Sequence, residues 1–170
     1  VGSEMCIRDS SWRESARIVA EVADALAYAH AHRTVHRDVK PDNILMKDGK
    51  TPVLVDFGLA ISDEALEEVK VGDISGTPSY MSPEQADGKG HRIDGRTDIY
   101  ALGVVLYRML CGRLPFRSTD TLELLRQVRE DEPQPPRQLV SELPPELERI
   151  CLKALAKQQK DRYTAAGDMA

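Results

Sequence analysis

The stretch that decides the fold reads His36-Arg37-Asp38-Val39-Lys40-Pro41-Asp42-Asn43-Ile44-Leu45-Met46-Lys47-Asp48-Gly49-Lys50-Thr51-Pro52-Val53-Leu54-Val55-Asp56-Phe57-Gly58. Two short apolar runs, Ile44-Leu45-Met46 and Val53-Leu54-Val55, flank an Asp48-Gly49-Lys50 turn signal, the pattern of a β-hairpin. With residues 48–51 as the turn, Met46 faces Val53, Leu45 faces Leu54 and Ile44 faces Val55. One further step sets Asn43 opposite Asp56. Opposed residues of an antiparallel pair hold their Cβ atoms about 4.5–5.5 Å apart. Two oxygen-bearing side chains at that separation can share a hard cation such as magnesium, which draws its remaining ligands from phosphate and water. Asn43 and Asp56 therefore suit a nucleotide-phosphate site. Asn and Asp are also ordinary residues at strand ends, and spacing alone leaves both readings standing.

Upstream, apolar residues recur at Ile18, Val22, Leu26 and Ala29, with Val19 and Ala23 beside them, which predicts one long amphipathic helix over residues 12–32. Ser11-Trp12-Arg13-Glu14 has the form of a capping box at its start. A loop over residues 33–43 joins it to the hairpin. Downstream, residues 59–84 read as a long irregular loop, punctuated by Gly72, Gly76 and Pro78; a loop of this length in a compact domain is functional or disordered. Residues 97–111 are apolar on nearly all sides, the mark of a centrally buried helix, with Asp98 near its start and Gly112 past its end. Residues 122–128 and 147–155 predict two further amphipathic helices, joined by a Pro-rich connector at 133–136. The fold class is α+β, mostly α, with one small hairpin.

Composition narrows the function classes. The chain has 170 residues, enough for one domain with a real core, and its 41% apolar and 30% charged content excludes a disordered tail or a collagen-like repeat. Lys and Arg total 23 against 28 Asp and Glu, a net charge of −5, which argues against a nucleic-acid-binding module. Cys6, Cys111 and Cys151 are odd in number and widely spaced, so they read as reduced thiols in a cytosolic setting rather than a disulfide framework or zinc site. The longest apolar stretch, residues 99–110, is interrupted by Arg108 and too short for a membrane span. Residues 1–10 show no periodicity and no signal-peptide core. They resemble a translated sequencing-adaptor scar or a disordered tail, and the domain is taken as residues 11–170.

The hairpin's neighbours decide between the two readings of Asn43 and Asp56. His36-Arg37-Asp38-Val39-Lys40-Pro41-Asp42-Asn43 is followed by Asp56-Phe57-Gly58 and then by Gly76-Thr77-Pro78-Ser79-Tyr80-Met81-Ser82-Pro83-Glu84. This set resembles the C-terminal lobe of eukaryotic-type (Hanks-type) protein kinases, most closely the bacterial Ser/Thr kinases, over residues 11–170. The resemblance implies ATP and Mg2+ (or Mn2+) as cofactors, protein substrates, and transfer of the ATP γ-phosphate to Ser/Thr hydroxyls. It implies that Asp38 is the catalytic base and that Lys40 neutralises charge on the transferring phosphate. It gives Asn43 and Asp56 to the metal, sets Leu45 beneath the adenine ring, and has Thr77 face the substrate. His36 and Phe57 match a packed spine. Asp98 matches a residue that hydrogen-bonds the catalytic-loop backbone, although a helix N-cap is its plainer reading. Glu84 and Arg162 match a buried ion pair that anchors the end of the activation segment. His30, His32 and His91 have no metal-site spacing, and the acidic run Asp63, Glu64, Glu67, Glu68 reads as a solvated loop face.

Three departures from the family pattern follow. The glycine-rich loop, the phosphate-pairing Lys and its partner Glu all precede the long helix in the family. An N-terminal β lobe is therefore expected to be absent, leaving an inactive fragment of a parent enzyme. Val69 and Val71 stand where related bacterial kinases carry phosphorylatable threonines, so Ser75 and Ser62 become the candidates, and Asp73 or Glu68 is expected to stand in for the phosphate charge on Arg37. Ser82-Pro83-Glu84 replaces Ala-Pro-Glu. The competing readings are a pseudokinase-like scaffold or binding module, which has no use for an intact Asp38, Lys40, Asn43 and Asp56, and a small-molecule kinase, which the Gly76-to-Glu84 segment disfavours. The implied location is cytoplasmic for the domain, in a parent that could be membrane-anchored.

Overall fold

The computed structural model describes residues 11–57, 61–62, 78–88 and 93–170. Helix α1 (Trp12–Ala31) buries Ile18, Val19, Val22, Ala23, Leu26 and Ala29, the stripe that the sequence period predicts. Only half of the expected capping box forms. The Ser11 hydroxyl accepts from the Glu14 N–H at 3.4 Å, but the Glu14 carboxylate is claimed by Arg17 at 2.6 Å instead of reaching back to Ser11. Arg17 also donates to the Lys50 carbonyl at 2.8 Å, which ties the hairpin turn to the helix.

Strand β1 (Thr34–Val35) is followed by a 3-10 turn (Pro41–Asn43) and by the hairpin of β2 (Ile44–Lys47) and β3 (Thr51–Leu54). The hairpin exists, but its register differs by one residue from the expected one: Ile44 pairs with Leu54, Leu45 with Val53, Met46 with Pro52 and Lys47 with Thr51. The turn is the three residues Asp48, Gly49 and Lys50, with Asp48 and Gly49 at φ +53° and +67°. Val55 N–H donates to the Asn43 carbonyl at 2.9 Å. Ladder bonds in an antiparallel pair alternate, so Pro52, which has no N–H to give, falls opposite Met46 where none is required. Asn43 thus faces Val55, and Asp56 lies one step beyond the pairing.

A second antiparallel pair joins β1 to β4 (Ile61–Ser62), Thr34 opposite Ser62 and Val35 opposite Ile61, within the stretch read from sequence as irregular. A 3-10 turn (Pro78–Tyr80) and α2 (Pro83–Ala86) follow, α2 opening on a capping box between Ser82 and Gln85. Helix α3 (Gly95–Cys111) starts two residues before the predicted point, on an Asp94 cap whose carboxylate accepts from the Arg96 N–H at 2.9 Å. It ends on Gly112 at φ +68°, a left-handed position that suits glycine. Every residue of α3 from Thr97 to Tyr107 is buried, so this helix is the centre of the domain.

Helix α1 packs on one side of α3 and α6 (Pro145–Ala154) on another, the latter closely: a Cβ placed on Gly103 would lie 2.8 Å from that of Ala154. Helix α4 (Thr121–Glu130) covers α2, and a short α5 (Pro136–Leu139) forms within the Pro-rich connector. Among the described residues no helix is long and apolar enough to cross a membrane. The architecture is mostly helical, as expected, with two small antiparallel strand pairs among the described residues where the sequence predicted one hairpin.

Candidate active site

Asp98 organises the loop between β1 and β2. Its side chain is fully buried, one turn inside α3, so it is not the helix cap, which is Asp94. Its Oδ1 accepts from the Arg37 N–H at 2.7 Å and its Oδ2 from the His36 N–H at 2.8 Å. A third donor, His30 Nε2, reaches Oδ2 at 2.8 Å. Sequence reasoning set His30 aside as a metal candidate and missed this role. The signal was present, since His30 continues the Ile18, Val22, Leu26 row at four-residue spacing and so belongs to the inward face of α1.

The loop is bound from its other sides as well. His36 is fully buried; its Nε2 donates to the Val55 carbonyl at 2.8 Å and its Nδ1 accepts from the Asp38 N–H at 3.2 Å, so both ring nitrogens are used and the ring links the loop to the hairpin. The Phe57 ring meets it edge-on at 4.5 Å between centroids. Gln85 donates to the Arg37 carbonyl at 2.9 Å, joining the loop to α2. Arg37 and Asp56 have φ of +68° and +61°. Such backbone costs a non-glycine residue roughly 1–3 kcal/mol and persists only where neighbours enforce it. At Arg37 the enforcement is visible, since its N–H and its carbonyl are both held.

Within this frame Asp38, Lys40 and Asn43 converge. Lys40 Nζ lies 2.8 Å from Asp38 Oδ2. Asn43, buried at the end of the 3-10 turn, donates through Nδ2 to the Asp38 carbonyl at 2.7 Å and to Asp38 Oδ2 at 3.2 Å. Both side-chain contacts fall on one carboxylate oxygen, and the Asn43 amide nitrogen is committed, leaving its oxygen as the outward acceptor. Asp56 is exposed just past β3. It reaches the neighbourhood through the Val55–Asn43 backbone bond rather than by facing Asn43 across the ladder. Leu45 and its cross-strand partner Val53 are 54% and 38% exposed, so Leu45 belongs to an open apolar face and not to the core.

The predicted ion pair is present: Arg162 meets both Glu84 oxygens at 2.7 and 2.8 Å with both side chains buried. The remaining Arg162 donors go to the carbonyls of Ala156, Arg96 and Lys157. Burial pulls the Glu84 carboxyl upward, but Arg162 and the Thr97 hydroxyl outweigh it and hold it below the ordinary carboxylate value. Cys111 and Cys151 are free thiols. Burial pushes Cys111 up to about 11 and Cys151 well above its usual value, so neither is a reactive thiolate. Ser75, Thr77, Asp73 and Glu68 lie outside the described residues; Ser62 is placed in β4.

A Protein kinase domain model matches residues 5–169. The chain belongs to the protein kinase family. It is 42% identical over 153 residues to serine/threonine-protein kinase Pkn1 of Myxococcus xanthus, covering 87% of this chain and 22% of that protein. It is 37% identical over 159 residues to serine/threonine-protein kinase PknB of Mycolicibacterium smegmatis, covering 92% of this chain and 25% of that protein. A second Myxococcus xanthus kinase, pkn3, is 38% identical over 160 residues, or 88% of this chain and 29% of its own length. The chain spans about a quarter of the length of these curated relatives. Bacterial Ser/Thr kinases are its relatives.

Proposed function

We propose that residues 11–170 form the C-terminal lobe of a cytoplasmic protein Ser/Thr kinase and carry the groups that bring a substrate hydroxyl to the γ-phosphate of ATP. The observation that carries this reading is the Asp38–Lys40–Asn43 cluster on a loop braced by Asp98. Lys40 and Asn43 both occupy Asp38 Oδ2, which leaves Oδ1 to accept the hydrogen bond and then the proton of an incoming Ser or Thr hydroxyl. Phosphoryl transfer has a loose transition state, so the gain comes from positioning and charge neutralisation more than from a strong base. Lys40 supplies a positive charge beside that carboxylate for the transferring phosphoryl group. The exposed Leu45–Val53 pair offers an apolar face to the adenine ring of ATP.

The donor set fits a magnesium ion, because that ion is held by one or two protein oxygens together with substrate phosphates. The Asn43 amide oxygen and the Asp56 carboxylate would hold it, and when bound it neutralises phosphate charge. Arg37, Ser75 and Thr77 are assigned by this reading to the activation and substrate-facing segment.

The reading further holds that residues 1–170 alone lack the phosphate-pairing Lys and glycine-rich loop, and that the parent protein supplies them. The test is to sequence the genomic DNA upstream of codon 11, express the full reading frame beside the 170-residue chain, and measure transfer from radiolabelled ATP to a protein substrate. The full product is expected to phosphorylate Ser or Thr and to lose at least a hundredfold in rate as Asp38→Asn, while the short chain stays at background. A full product without transfer overturns the catalytic assignment; robust transfer by the short chain overturns the fragment assignment.

A further inference from the structure

Gln85 carries no chemistry of its own, yet it closes the frame around Asp38. The peptide bond between Arg37 and Asp38 is held at both ends. Its oxygen accepts from Gln85 Nε2 at 2.9 Å, and its N–H donates to His36 Nδ1 at 3.2 Å. The peptide on the other side of Asp38 is held as well, since the Asp38 carbonyl accepts from Asn43 Nδ2 at 2.7 Å.

The sense of the Gln85 amide is fixed by its partners. Its oxygen accepts from the Ser82 N–H at 3.0 Å and from the Ser82 hydroxyl at 3.3 Å. A backbone N–H donates and a carbonyl accepts, so this network puts the amide oxygen toward Ser82 and the NH2 group toward Arg37. The capping box that opens α2 therefore aims the donor at the loop.

Helix α2 is in turn fixed to α3. Glu84 accepts from the Thr97 hydroxyl at 2.7 Å and pairs with Arg162 through both oxygens. The Arg37 N–H is held by Asp98, the residue after Thr97. Both backbone groups of Arg37 are thus referred to one turn of α3, the N–H directly and the carbonyl by way of Glu84 and Gln85. Arg37 sits at φ +68°, backbone that persists only while its surroundings enforce it. Without the Gln85 donor the peptide ahead of Asp38 is left with the longer bond to His36, and rotation of that peptide swings the Asp38 side chain.

We infer that Gln85 is a positioning residue for the phosphoryl transfer, one that makes the aim of Asp38 conditional on α2 being seated. The inference rests on the kinase reading and deepens it by naming the tie between the segment at 78–86 and the base.

The test uses two variants, Gln85→Glu and Gln85→Met. An ionised Glu keeps an acceptor for the Ser82 N–H, so the capping box survives, but it has no hydrogen to give to Arg37. Met loses both contacts without bringing a charge. In the isotopically labelled 170-residue chain, both variants should speed hydrogen exchange of the Asp38 amide by about tenfold or more, read by NMR. In the full product both should lower kcat by about tenfold or more with KM for peptide and ATP within about twofold of wild type. Gly103→Ala, a destabilising change away from the loop, should leave kcat in place. An Asp38 amide that exchanges at the wild-type rate in both variants overturns the inference. So does a kcat that Gln85→Met leaves intact or that Gly103→Ala lowers as far. A wild-type full product that transfers no phosphate would overturn the kinase reading instead, and amide exchange would then decide by itself whether Gln85 fixes the loop.

Discussion

Replacing Asp98 with Asn changes one atom at the point where three elements meet. In the present structure the buried carboxylate takes three donors: Arg37 N–H at 2.7 Å on Oδ1, and His36 N–H and His30 Nε2, each at 2.8 Å, on Oδ2. An Asn side chain keeps one acceptor. Its cheapest orientation puts the amide oxygen at the Oδ2 position, retaining two bonds and setting an NH2 group against the Arg37 N–H. The lost bond to a charged acceptor is worth about 1.5–3 kcal/mol. The two surviving bonds drop from charge-assisted to neutral, which roughly halves them. The sum is about 3 kcal/mol or more. For a chain of this size each kcal/mol moves Tm by about 2–4 °C, so Asp98→Asn should lower Tm by about 6–12 °C in a circular-dichroism melt at neutral pH. His30→Gln should lower it by less. The double variant should fall short of the sum of the singles, because both remove parts of one network. A fall of under about 3 °C for Asp98→Asn, or strictly additive losses, would refute the claim that this carboxylate holds the loop.

Further outcomes follow from other parts of the molecule. Arg162→Met leaves Glu84 buried without its partner and should cost about 3–5 kcal/mol in urea unfolding, while Glu84→Gln combined with Arg162→Met should recover part of that loss. Gly103→Ala pushes a methyl to 2.8 Å from Ala154 Cβ and should cost about 1–3 kcal/mol by the same assay, without altering the loop around Asp38. Lys157, which donates to the Val128 carbonyl at 2.7 Å and lies 4.1 Å from the Phe116 ring centroid, is lowered by burial to about 8. Between that value and its unfolded value of 10.5 the unfolded chain holds more protons, so the Lys157 contribution to stability rises with pH across this window. Cys111, raised to about 11, works in the opposite sense, so the quantity to measure is the urea midpoint of wild type minus that of Lys157→Met. It should grow in favour of wild type from pH 7 to 9.5, and a constant difference would count against the shift.

What the sequence determined by itself was everything local or periodic. The row of apolar residues in α1, the all-round burial of α3 and the Asp48-Gly49 turn are written in spacing, because helix and strand periods fix which side chains share a face. The motif order from His36 to Glu84 likewise carried the family without coordinates. The hairpin register was decided elsewhere. A three-residue turn and the need to keep Pro52 out of a donor position shifted the ladder by one, so the separation argued for Asn43 and Asp56 came from a pairing that the fold does not use. Nor could spacing reveal that His30, Arg37 and His36, from a helix end and a loop, share one carboxylate 62 residues beyond His36. The positive φ of Arg37 and Asp56 belongs to the same class. Both residues sit in backbone that their own preferences oppose, and at Arg37 the hydrogen bonds that enforce it come from Asp98 and Gln85, far along the chain. Local preference and period are properties of neighbours in sequence; strain and shared acceptors exist only once distant segments are packed together.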